Sequence, residues 1–179
     1  ENPYSLHREL AEQMITNVLI VRQNTKLEAT LDKINEFESR WKKIKCLDTS
    51  DWSNPVPSFI NQLWNMIHLS KVITKGALMR DEFRGSHYKP EFDLKQPDDF
   101  QTETYIEFEN QKSDGNLNEG AFNKQHLAYM KRFDENNEKW LKTTIAEYKN
   151  KTSGSEGGPE ISFEDVDTSL ISPRPRKYN

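Results

Sequence analysis

The sequence predicts a mainly α-helical chain: an antiparallel three-helix bundle, then a loop-rich insertion, then a small C-terminal β-hairpin with an extended tail. Three observations predict it. Apolar residues recur at three- and four-residue steps from Leu6 to Leu78, the spacing of one helical face. Prolines, glycines and Asp/Asn clusters then interrupt the chain between residues 89 and 121. Finally, two short alternating stretches flank a segment rich in Gly, Ser, Asn and Lys, which is a hairpin pattern.

In chain order, Leu6, Leu10, Met14, Ile15, Val18 and Val21 make the stripe of a first helix from Pro3 to about Gln23. Pro3 suits the first helical position, where no backbone donor is needed. Thr25 and Glu28 have capping-box spacing and start a second helix, whose inward face is Leu27, Leu31, Ile34, Phe37, Trp41 and Ile44. Asn54-Pro55 and Pro57-Ser58 mark the next boundary. Beyond them Phe59, Ile60, Leu63, Trp64, Met66, Ile67, Leu69, Val72, Ile73, Ala77 and Leu78 cover most of a helix circumference, so the third helix is expected to be the most buried. Each helix should be about 30 Å long. The short connections near Asn24 and Asp51 make neighbours antiparallel. Burying one Leu or Phe contributes about 1.5–3 kcal/mol, enough for these stripes to offset chain entropy.

After Gly85 the pattern changes. Pro90, Pro97, Asp98-Asp99, Asp114-Gly115-Asn116 and Gly120 break up a polar stretch, which reads as loop-rich with one short alternating piece at Tyr105–Phe108. A short helix is expected over Asn123–Arg132 and a turn from Asp134. Leu141–Tyr148 and Ile161–Val166 read as paired strands, with Lys149–Gly158 as their tip. The tail Ser172–Tyr178 carries two close prolines and must be extended. The expected domains are a bundle over 1–88, an insertion over 89–133, and the short turn, hairpin and tail over 134–179.

Composition narrows the function. At 179 residues the chain suits one domain or a small domain with an appendage. Lys and Arg number 25 against 29 Asp and Glu, a net charge of −4, so no whole-chain field gathers nucleic acid or anionic lipid. Four tryptophans raise base stacking, but Trp41 and Trp64 lie on helix stripes. The basic tail Arg174–Lys177 suits a protein surface better than phosphate. The lone Cys46 excludes an internal disulfide and fits a reducing compartment. No run approaches the ~18 apolar residues of a membrane helix, and the opening Glu1-Asn2-Pro3 is not a secretion leader, so no direct membrane insertion is expected.

Chemistry concentrates at Arg80-Asp81-Glu82-Phe83-Arg84-Gly85-Ser86-His87-Tyr88, where charges of both signs follow the most hydrophobic helix. Arg80 or Arg84 could bind an anion, with His87 or Glu82 as acid or base. The same residues equally make an ion-pair and hydrogen-bond cluster that ends the helix, with Gly85 in a tight turn. His7, His68, His87 and His126 show no metal-ligand spacing with one another or with Cys46. No glycine pattern forms a dinucleotide loop and no Gly-x-Ser-x-Gly elbow occurs. Catalytic, cofactor and metal residues are therefore expected to be none.

The segment Arg80–Tyr88 resembles the Arg-x-Glu-Ser-Arg-Gly-Ala-His signature of the succinate dehydrogenase and fumarate reductase flavoproteins, with Phe83 for the usual Ser and Ser86 for the usual Ala. Leu6–Leu10, Asp134–Thr144 and Phe163–Tyr178 are similar to further family segments, in family order, whereas residues 93–133 are longer than in many relatives. The resemblance implies a spectrin-repeat-like bundle belonging to the C-terminal, helical part of that flavoprotein subunit, cut away from its flavin-binding domain. It implies that FAD is held outside this chain and that no catalytic residue is carried here. Arg80, Glu82, Arg84, His87 and Tyr88 are then an interdomain contact. The implied partners are the flavin-binding domain, the iron-sulfur subunit and a membrane anchor. The implied location is the cytoplasmic face of a bacterial inner membrane, or the matrix side in mitochondria. An L-aspartate oxidase domain and a free-standing helical adaptor are the alternatives.

Overall fold

The computed structural model describes residues 1–50, 52–150 and 157–176. It contains α1 (Pro3–Asn17), α2 (Asn24–Trp41), α3 (Val56–Met79), α4 (Thr102–Ser113), α5 (Lys124–Trp140), β1 (Lys142–Lys149) and β2 (Gly158–Asp165), with 3-10 turns at Pro90–Phe92 and Glu119–Ala121. Two compact units result: Glu1–Phe92 with Thr144–Ser162, and Asp93–Thr143 with the stretch from Phe163. The chain is mainly helical, as its periodicity predicts.

In the first unit all three pairs of helices among α1, α2 and α3 touch. Side-chain partners fix their directions. Glu1, just before α1, meets Arg40 near the end of α2, and Asn17 at the end of α1 meets Thr30 in the first half of α2, so the two run antiparallel. Trp41 Nε1 donates to the Ile60 carbonyl at 2.8 Å, joining the end of α2 to the start of α3. The result is the predicted up-down-up bundle. Its core is Leu6, Leu10, Ile34, Phe37, Leu63 and Ile67, with Val18, Leu27 and Ala77 in a second cluster.

Three details differ from the sequence expectation. First, α1 stops at Asn17 rather than near Gln23. The Asn17 amide donates to Gln13 and Thr30, and Val21 leaves the helix for a parallel bridge with Tyr88. Second, α2 starts at Asn24 behind Gln23, and no side chain caps it. The Thr25–Glu28 capping box therefore does not form; Asn24 Nδ2 donates instead to Asp81 at 3.1 Å. Third, α3 buries only the stripe Leu63, Ile67, Ser70, Thr74 and Ala77. Leu69 is 61% exposed and Ile73 50%, so the full-circumference burial expected of this helix is not found. Thr74 is tolerated inside because its hydroxyl donates to the Ser70 carbonyl at 2.7 Å, which satisfies that donor.

The second unit corrects the reading of residues 89–121 as loop. Phe100, Tyr105, Phe108, Tyr129 and Met130 form its core, flanked by Leu94, Leu117, Phe122, Leu127 and Phe133. Tyr105 and Phe108 are three apart, and their alternation with polar residues belongs to one face of α4. Helix α5 runs unbroken through Asp134 to Trp140, replacing the short helix and separate turn. Tyr105 Oη donates to Asp134 at 2.6 Å and holds the two helices together.

Strands β1 and β2 pair in a two-stranded antiparallel sheet within a few residues of their expected bounds. Most of the expected hairpin tip lies outside the described residues, as does the end of the tail. Residues 172–176 have no regular structure, and Thr102 Oγ1 donates to the Pro175 carbonyl at 3.1 Å.

Candidate functional site

Helix α3 ends at Met79, and Arg80 takes an extended conformation as its C-cap. The last carbonyls of a helix need donors from outside it. Lys89 supplies one: its Nζ donates to the Leu78 carbonyl and to Asp81 Oδ1, each at 3.0 Å, with the side chain 1% exposed. Burial pulls the Lys89 ammonium below its ordinary range, and Asp81 opposes that shift.

Between these points the chain makes a tight reversal. Arg84 and His87 exchange both backbone hydrogen bonds at 3.0 Å. Gly85 takes the first central position with φ of 59°, where a side chain would be strained. The reversal turns Glu82 inward. Glu82 is 1% exposed, and each of its oxygens accepts from a guanidinium: Oε1 from Arg80 Nε at 2.8 Å and Oε2 from Arg84 Nε at 2.8 Å. Arg80 Nη2 adds a contact to Oε1 at 2.7 Å, while its Nη1 donates to Thr144 Oγ1 at 2.8 Å. Arg80 thereby ties the end of α3 to β1.

His87 closes the cluster. Its Nδ1 lies 2.5 Å from Arg22 Nη1 and its Nε2 2.9 Å from the Arg80 carbonyl. A guanidinium can only donate and a carbonyl can only accept. His87 is therefore the neutral tautomer with the proton on Nε2. Burial holds its pKa below the ordinary 6.5, and the charges of Arg22 and Lys89 push the same way. Tyr88 packs its ring 4.8 Å from Phe83, and its carbonyl accepts from the Arg22 backbone N–H at 2.8 Å.

Arg80, Glu82, Arg84, His87 and Tyr88 thus come together as their adjacency suggests. Both Glu82 oxygens and both His87 nitrogens are occupied by protein partners. The cluster is a helix-ending ion-pair and hydrogen-bond network. The sequence reading misses Arg22, Asn24 and Lys89. The separation of 65 positions from Arg22 to His87 hides the first of these; the inward-turned Lys89 is an ordinary charge in sequence.

Nothing among the described residues suits a flavin dinucleotide. The sheet has two strands, and the positive-φ glycines at 85, 115, 157 and 158 sit in turns or at a strand start rather than between a strand and a helix N-terminus. No group of three or more His, Cys, Asp or Glu among those residues could hold a metal ion. No helix described is long and apolar enough to cross a membrane.

The fold is a helical bundle whose third helix ends in a cluster of paired charged side chains. The sequence profile described as "Fumarate reductase flavoprotein C-term" matches residues 7–134, and the chain belongs to that family. It is 37% identical over 179 residues to the succinate dehydrogenase flavoprotein subunit of Bacillus subtilis, covering 100% of this chain and 23% of the relative. The chain therefore spans about a quarter of that relative's length. A solved structure of Mycobacterium smegmatis Sdh1 in complex with UQ1 has the same fold, with a TM-score of 0.60 and 18% identity over 96% of this chain and 22% of that one. The chloroplastic L-aspartate oxidase of Arabidopsis thaliana is 33% identical over 88 residues, 49% of this chain and 13% of the relative. That similarity covers half the chain, so the aspartate oxidase alternative is the weaker one.

Proposed function

We propose that this chain is the C-terminal helical part of a flavoprotein subunit that interconverts succinate and fumarate, and that it serves packing and assembly. The observation that carries this is the similarity to a succinate dehydrogenase flavoprotein subunit along the whole chain, combined with a site whose acid and base groups are already paired. The redox step, removal of two hydrogens from succinate with reduction of FAD, belongs to the flavin-binding part of the subunit. Arg80, Glu82, Arg84, His87 and Tyr88 brace this chain against that part. In the complete complex the subunit passes electrons to an iron-sulfur subunit held at the membrane by an anchor. Its place is the cytoplasmic face in bacteria, or the matrix side in mitochondria.

An antibody raised against the chain, used on a denaturing gel of source-cell membranes, tests the assignment. A band much larger than 21.0 kDa that keeps flavin fluorescence after denaturation is the expected result. A large band without fluorescence favours the aspartate oxidase relative. A band at the chain's own mass favours a free-standing adaptor and overturns the proposal. The bracing role has its own test, Arg84→Ala in the intact subunit, which should weaken flavin retention and assembly; unchanged retention and assembly would remove it.

A further inference from the structure

The cations of the cluster are not equally compensated. Glu82 serves both Arg80 and Arg84, and Asp81 serves Lys89. Arg22 is different: its Nε donates to the Val18 carbonyl at 2.7 Å and its Nη1 to His87 at 2.5 Å. Among the described residues no carboxylate pairs with it. Both its partners are neutral, and burial alone accounts for the lowering of its pKa. A partly buried cation without a counter-ion is an unfavourable arrangement unless something outside supplies the charge.

The uncompensated guanidinium lies on an open groove. Arg22, Arg80, His87, Thr144, Ile73 and Ile161 line it, and its volume is about 290 Å³. Its lining combines the two guanidinium groups with apolar side chains; Ile73 is half exposed although it lies on the longest helix. A small inorganic anion would gain nothing from the Ile73 and Ile161 wall. A polypeptide segment with a carboxylate beside apolar side chains would use both kinds of lining residue.

We propose that this groove receives an Asp or Glu side chain on an apolar stretch of the same subunit lying beyond residues 1–179, with Arg22 as its counter-ion. The inference rests on reading the chain as part of a longer flavoprotein subunit. The relative similar along the whole chain is more than four times its length, so ample polypeptide exists to supply the segment.

Zero-length carbodiimide cross-linking of the intact subunit carrying Arg22→Lys tests this, because the new amine keeps the charge and joins only to a carboxylate in contact with it. The expected product links position 22 to an Asp or Glu outside residues 1–179, identified by mass spectrometry of the digest. The Lys89–Asp81 pair provides an internal control. A photo-cross-linking residue in place of Ile73 probes the same groove with Arg22 unchanged, should the lysine variant fold poorly, and is expected to capture a segment containing an acidic residue. A third probe at Ser86, the exposed tip of the reversal, reports the bracing contact separately. Capture at Ser86 with only Asp81, Glu82 or nothing joined at position 22, and no acidic segment at Ile73, overturns the groove proposal and leaves the bracing role standing. Absence of capture at all three positions overturns both.

Discussion

Glu82 and His87 respond to substitution for different reasons. Glu82 is 1% exposed and receives two guanidinium groups, so Glu82→Gln leaves Arg80 and Arg84 facing a neutral amide. Breaking one side of a buried pair costs about 3–5 kcal/mol. Because Arg84 is 35% exposed and water screens part of its charge, the lower end, about 3 kcal/mol, is expected from denaturant unfolding. A loss under about 1 kcal/mol would show that water rather than Glu82 compensates the arginines. For His87 the prediction is a pH dependence. Its folded pKa is held below 6.5 by burial, with Arg22 and Lys89 adding to the effect. The unfolded chain therefore binds this proton more readily. The stability is fully present above the unfolded value and is lost as pH falls from about 6.5 toward the folded pKa, with a slope of at most about 1.4 kcal/mol per pH unit for one proton. Arg22, Lys89, Glu82 and the Arg80 carbonyl are the groups that act on the ring. Urea melts between about pH 7.5 and 5.5 should show this decline, and His87→Gln should flatten it. An equal decline in the variant would assign the pH dependence to other groups.

At the scale of elements, Phe37 anchors the bundle. It is fully buried among Leu6, Leu10, Ile34, Leu63 and Ile67, and Arg40 lies 5.6 Å from its ring. Phe37→Ala should cost about 3–5 kcal/mol in denaturant unfolding, and a smaller loss would mean that the site collapses around the void. In the second unit, Tyr105→Phe removes one hydrogen bond to Asp134, while Asp134 keeps its Lys112 partner. A loss of about 1 kcal/mol is expected there. These two cores were unequally visible in the sequence. Stripes such as Leu6, Leu10 and Ile34, Phe37 follow the helix period and need only local spacing to be seen. Helix α4 lacks such a stripe: Tyr105 and Phe108 sit among Glu and Thr between clusters of helix breakers, and they become a face only when Tyr129 and Met130 arrive from α5. Apolar content also misleads in the other direction, since Leu69 and Ile73 read as core but lie in solvent. Within the cluster, the residues from Arg80 to Tyr88 were legible because they adjoin one another. Arg22 was not, because its pairing depends on the chain leaving α1 at Asn17.

For the molecule as a whole, the exposed apolar residues of the first unit carry the last prediction. Leu19, Ile20, Val21, Leu69, Ile73 and Met79 are each 40% to 61% exposed. Scattered exposed apolar residues are ordinary on a protein surface. Here, however, Leu69 and Ile73 lie one helical turn apart on α3, and Leu19 to Val21 are consecutive, so the exposure is concentrated in a few elements. If the remainder of a flavoprotein subunit covers these residues, exposure in the isolated chain is a consequence of separation, and substitution should act on assembly without acting on the fold. Leu69→Glu combined with Ile73→Glu places two carboxylates on solvent-facing positions. Unfolding free energy of the isolated chain should stay within about 1 kcal/mol, the sum of two ordinary surface changes, and its solubility should rise. In the intact subunit the same pair of changes should reduce flavin content and complex yield, because the charge at position 69 would then be buried and the one at position 73 would fill the Arg22 groove in place of its native occupant. Flavin absorbance per subunit, measured beside the denaturation midpoint of the isolated chain, separates the two effects. Loss of flavin with an unchanged midpoint places this face against the rest of the subunit, and retention of flavin places it in solvent in the assembled protein as well.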